Sequence, residues 1–122
     1  MADLLHIETQ HMDPDITVVV LACKIVMGPD SIGLETMVHS LLKRNEKKII
    51  FDLSRVYYVD STGLGTIATC FTRVTRAGGG FRLAGVGERV RQLFKITSLD
   101  KVVAFYPTAL AAAESFQQRE TT

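Results

Sequence analysis

The sequence has little of what would force an unusual architecture. Cysteine occurs only at positions 23 and 70, without Cys-x-x-Cys spacing and within apolar stretches. That argues against a disulfide scaffold or a zinc site and leaves two reduced, packed thiols of a cytoplasmic protein. Proline occurs only at positions 14, 29 and 107, each where a periodic segment breaks. There is no Pro-rich linker, internal repeat or low-complexity tract, so one domain spanning residues 1–122 is expected. No apolar run reaches the roughly 18 residues that cross a bilayer. Met1–Leu4 lacks a basic segment leading into an apolar run, so neither membrane insertion nor a signal peptide is expected. Charge of one sign is also missing. Lys plus Arg is 14 and Asp plus Glu is 13, which gives no field for direct nucleic-acid binding. The small basic clusters Lys43-Arg44 and Lys47-Lys48 read as a solvated helix end and strand start.

What is present is alternating strand and helix pattern. Residues 4–12 read as a strand and Met12-Asp13-Pro14-Asp15 as a turn. The β-branched run from Ile16 to Ile25 reads as a central strand, antiparallel to the first because the connection is short. Gly28-Pro29-Asp30-Ser31 breaks the chain and offers capping side chains. Leu34, Met37, Val38, Leu41 and Leu42 then recur at helical spacing. Lys48–Leu53 is a third strand, leaving into a loop. Ser61 or Thr62 is expected to cap a second helix whose inner face carries Leu64, Ile67, Ala68, Phe71 and Val74. Gly78–Gly80 ends that helix.

A strand at Phe81–Ala84, a helix from Val86 to Lys95 and a short strand at Val102–Phe105 follow. Pro107 opens a last helix carrying Leu110, Ala113 and Phe116. The order ββαβαβαβα predicts a mixed α/β fold of four to five strands. Pairing would be mostly parallel through right-handed crossovers, with about four helices mainly on one face.

One segment is more specific. Phe51-Asp52-Leu53-Ser54, followed by Val59-Asp60-Ser61-Thr62-Gly63-Leu64-Gly65, resembles the signature of STAS-domain anti-sigma factor antagonists. Ala77-Gly78-Gly79 and Val90–Asp100 agree with the same pattern, and the resemblance covers residues 5–116. It implies a STAS-like fold and a non-enzymatic partner switch without a cofactor. The unphosphorylated protein would bind an anti-sigma factor that is also a serine kinase and so release a sigma factor. The kinase would phosphorylate Ser61, and a serine phosphatase would reset it. The resemblance places Asp60, Thr62, Gly63, Leu64 and Gly65, with Asp30 and Ser31 of the nearby loop, at the partner surface. The chain departs from the family at Ala22-Cys23-Lys24-Ile25-Val26, where Gly-x-x-Asp is common. That leaves a second reading: an unphosphorylated STAS interaction subunit of a sensory or transport assembly, able to take a small regulatory ligand.

Physical chemistry agrees with the switch. A phosphoserine adds about −1.5 to −2 charges. Beside Asp60 it would present a doubled negative spot to a partner, while a helix start tolerates the charge within the fold. Gly63-x-Gly65-x-x-Ala68 formally matches a dinucleotide fingerprint, but in the third strand–helix connection rather than the first. His6, His11 and His39 belong to no recognisable catalytic motif and no Gly-x-Ser-x-Gly is present, so nothing in the sequence marks Ser61 as a hydrolase nucleophile. His6 and His11, five apart on one strand, point to opposite faces and cannot share a metal. Asp13 and Asp15 read as turn formers. Of Tyr57 and Tyr58, one ring is expected to cover the core. Met12, Met27 and Met37 are expected as core filler.

Overall fold

The computed structural model describes residues 5–118, so the expected strand start at Leu4 lies outside the described residues. Five strands are joined in sequence order across one sheet: β1 (His6–Met12), β2 (Ile16–Ile25), β3 (Lys48–Val59), β4 (Gly80–Ala84) and β5 (Ala104–Tyr106). β1 runs antiparallel to β2, and every later pair is parallel. The helices are α1 (Pro29–Lys43), α2 (Ser61–Arg76), α3 (Glu88–Ile96) and α4 (Ala109–Gln118), with a 3₁₀ turn at Leu99–Lys101.

Alternation along the strands splits the core in two. Val19, Leu21, Ile49, Phe51, Leu53, Phe81 and Leu83 point to the face covered by α1, α2 and α3. These helices contribute Leu34, Val38 and Leu41, then Leu64, Ile67, Cys70 and Val74, then Val90 and Phe94. Ile16, Val18, Ile50 and Ala84 point the other way and meet Ala112, Ala113 and Phe116 of α4. Three helices therefore lie on one face and one on the other. Arg82 of β4 reaches this second layer: its Nε donates to Ser115 Oγ at 3.0 Å, and its guanidinium lies 4.0 Å from the Phe116 ring centre.

Several local expectations are corrected. β3 does not leave into a loop at Leu53 but continues to Val59. Val20 pairs with Asp52 and Ile25 with Val59, so β3 uses two more residues than β2 over this stretch, and the register shifts twice. Such bulges break the alternation that marks a strand in sequence. They also explain why adjacent Tyr57 and Tyr58 both face outward, 49% and 46% exposed, so neither ring covers the core. The middle place in the sheet belongs to β3, with β2 beside it.

The Gly28–Ser31 side chains do not cap α1. Gly28 holds the cap position, Pro29 opens the helix, and Ser31 donates its hydroxyl back to Val26 O at 2.6 Å. Met12 and Met37 pack partly against the core, but Met27 is 72% exposed. Leu110 is exposed as well, because α4 meets the sheet through the row Ala109, Ala112, Ala113 and Phe116 and turns position 110 away. The last strand starts two residues later than expected and ends one later, the 3₁₀ turn occupying Leu99–Lys101.

Candidate functional site

The carboxyl ends of the parallel strands, where ligand sites form in open α/β sheets, carry the corner between β3 and α2. Neither Ser61 nor Thr62 caps α2. Asp60 does: its backbone is extended and its Oδ1 accepts the Gly63 amide at 2.7 Å. Asp is as strong a cap as Ser. With Asp60 in that place Ser61 becomes the first residue of the helix, its side chain exposed. Among the described residues the Ser61 hydroxyl has no hydrogen-bond partner.

The corner is tied to the next loop. Asp60 Oδ2 accepts the Met27 amide at 3.1 Å, and the Asp60 amide donates to Ile25 O at 3.2 Å. Gly63 closes against the same carbonyl: a Cβ there would lie 1.9 Å from Ile25 O. The end of β2, the 26–28 loop and the start of α2 thus form one packed unit.

The residues expected at the partner surface divide accordingly. Ser61, Thr62 and Gly65 are exposed, and Asp60 and Asp30 are half-buried. Gly63, Leu64 and Ser31 are buried, so in this structure they build the corner and offer no side chain to a partner. Asp30 Oδ2 lies 3.4 Å from the Leu5 amide, which donates to it. Cys23, in the segment that departs from the family pattern, is half-buried and has φ +82° at one of the register shifts. Cys70 is buried, and that burial, with a smaller push from Glu35, raises its thiol to about 12.

Sequence reasoning missed the apolar and cationic surroundings of Ser61. Met27, whose amide is bound by the neighbouring Asp60, leaves its side chain exposed on the loop. Arg89 of α3 lines the same groove as Tyr57, Tyr58 and Ser61. No periodicity marks such residues; only the pairing of β3 with β2 and the seat of α3 brings them together.

A cavity of about 730 Å³ lies at the opposite end of the sheet. His11, Asp15, Thr17, Glu46, Lys47 and Lys48 are among the residues that line it. Glu46 is its hub. It accepts from Arg44 Nε at 2.9 Å and Thr17 Oγ1 at 2.7 Å, and its Oε1 lies 3.0 Å from His11 Nε2. The Arg44 bond first, then those of Thr17 and His11, hold its carboxyl down to about 2. Gly78, Gly79 and Gly80 border this cavity, but their amides are spent on Thr75, Val74 and Lys47 carbonyls, so the glycines form no anion cradle. No group of three or more His, Cys, Asp or Glu side chains is placed to hold a metal among the described residues. No helix there is long and apolar enough to cross a membrane.

Residues 6–112 match the family model for the STAS domain. The chain belongs to the STAS domain family. A Thermotoga neapolitana relative, described as a candidate anti-sigma factor antagonist, is 38% identical over 78 residues, covering 64% of this chain and 69% of its own length. The crystal structure of a Thermotoga maritima candidate anti-sigma factor antagonist superposes with TM-score 0.77 at 29% identity, covering 89% of this chain and 92% of that one. The phosphorylated form of the Bacillus cell fate determinant SpoIIAA shares the fold, with TM-score 0.73 at 14% identity over 91% of this chain and 99% of that one.

Proposed function

We propose that this STAS domain is an anti-sigma factor antagonist that works by binding rather than catalysis and is switched by phosphorylation of Ser61. In the unphosphorylated form it holds an anti-sigma factor serine kinase in the cytoplasm and so releases a sigma factor. The kinase transfers the γ-phosphoryl group of ATP to Ser61 Oγ; the bond to ADP breaks and the hydroxyl proton is lost. The modified protein lets go, and a serine phosphatase restores it.

One observation carries this reading. Ser61 is the exposed first residue of α2 with an unengaged hydroxyl, while the neighbouring carboxylate caps the helix in its place. Modification at 61 therefore leaves the cap intact. The added negative charge falls on the surface, where a docked partner would have to bury it. The names of the relatives point the same way.

The test is binding of the partner kinase to the parent, Ser61→Ala and Ser61→Asp proteins. Ser61→Asp is expected to weaken binding about tenfold or more, and Ser61→Ala to bind without responding to ATP. Full affinity of Ser61→Asp sinks the charge mechanism. The atypical Ala22–Val26 segment favours one rival, a STAS interaction subunit of a sensory or transport assembly. Mapping phosphate by mass spectrometry, after incubation with ATP and source extract, separates the two: the rival requires Ser61 to stay unmodified.

A further inference from the structure

A groove of about 450 Å³ runs from the end of β3 to α3, with Tyr57, Tyr58, Asp60, Ser61, Arg89 and Leu93 among the residues along it. Ser61 and Arg89 enter it from two different helix starts, α2 and α3. Arg89 is the one cation lining the groove, and its guanidinium has no ion pair or hydrogen bond among the described residues. Arg91, two residues on, is engaged 5.0 Å above the Phe105 ring and lines a different hollow. Asp60, the carboxylate in the groove, is already committed to the Met27 and Gly63 amides.

We propose that Arg89 receives the phosphate of phosphorylated Ser61 within the same molecule, drawing the α3 side chain across the groove and covering Tyr57 and Tyr58. The inference rests on the phospho-switch reading and adds a second consequence to it. A phosphate at 61 faces repulsion from Asp60 and attraction from Arg89, so it turns toward α3. Guanidinium–phosphate pairs are charge-assisted and take two parallel hydrogen bonds. The other ionisable groups lining the groove are Tyr57 and Tyr58 on β3; Glu88 lines the adjoining hollow with Arg89, and Lys24 of β2 stands opposite Tyr58 in register. Phosphorylation would then do more than add charge. It would close an aromatic-lined recess that the unmodified protein leaves open.

The experiment installs phosphoserine at position 61 by genetic encoding, without a kinase, and follows the phosphate by ³¹P NMR through its second ionisation near pH 6. A guanidinium at contact distance favours the dianion. The midpoint is expected about half a pH unit lower in the parent than in Arg89→Gln. Arg89→Lys is expected to keep most of the difference, and Arg91→Gln to leave the midpoint where the parent has it. Both arginines are exposed, and ¹⁵N spectra check that each variant is folded. Superimposed titrations of parent and Arg89→Gln overturn the proposal, as does an equal displacement from Arg91→Gln. If the partner kinase binds phosphorylated and bare protein alike while the midpoint difference persists, the switch reading falls and the Arg89 contact stands.

Discussion

Asp60 and Met27, thirty-three residues apart, meet through a 3.1 Å hydrogen bond from the Met27 amide to Asp60 Oδ2, while the other oxygen of the same carboxylate holds the Gly63 amide. The residue before Ser61 is thus a fastener between a loop and a helix. Asp60→Ala is expected to cost about 1–2 kcal/mol in urea unfolding, the range of a lost N-cap. Asp60→Asn, which retains an acceptor for Gly63, is expected to cost clearly less. Equal losses would show that charge rather than capping is what the corner needs.

Gly63 and Gly65 look alike in sequence and differ in the structure. A Cβ on Gly63 would fall 1.9 Å from the Ile25 carbonyl, whereas one on Gly65 meets nothing within 4 Å. Gly63→Ala is expected to destabilise by about 3 kcal/mol or more, since backbone must move. Gly65→Ala is expected to stabilise by roughly 0.5–1 kcal/mol, the helix preference for alanine. Thermal unfolding of the two variants side by side checks both signs.

The pattern of successes in the sequence follows from this kind of contrast. The Leu34, Val38, Leu41 spacing marks α1 because one face of a regular helix meets one face of a regular sheet. The second half of β3 carries no such mark: its bulges pair it with β2 out of step, and Tyr57 and Tyr58 both turn out. Ser61 was legible from its motif, but its cap was not, because Asp60, Ser61 and Thr62 are all competent caps. The choice was made by Ile25 and Met27, which are distant in the chain. Arg89 carries no local signal, and only the tertiary fold puts it in one groove with Ser61.

Glu46 predicts a pH dependence. Its carboxyl titrates at about 2 in the folded chain against 4.5 ordinarily. A depressed folded value means stability that is present in full above pH 4.5 and lost as pH falls toward 2. The side chain is a quarter exposed and two of its partners, His11 and Arg44, lie at the surface while Thr17 is buried, so screening limits the gain to about 1–2 kcal/mol. Urea unfolding of the parent is expected to weaken between pH 4.5 and 2 more steeply than that of Glu46→Gln. Parallel pH profiles would contradict it.

The two thiols are expected to react differently. Cys70 is buried with its pKa pushed up to about 12, so almost no thiolate forms at pH 8. A disulfide reagent at that pH is expected to modify Cys23 in the native protein and to reach Cys70 only on unfolding. Peptide mapping of the labelled protein reads the order, and early labelling of Cys70 would show that α2 opens in the native state.

β3 runs without interruption from Lys48 to Val59, a length of roughly 35–40 Å at about 3.3 Å per residue. It separates the Ser61 corner from the turn at Gly78 between α2 and β4, which is exposed and unobstructed. A fluorophore or an inserted reporter domain at that bend would therefore ride at the far pole of the molecule. Complex formation at the Ser61 corner, as proposed above, could then be watched by a tag that stays out of its way.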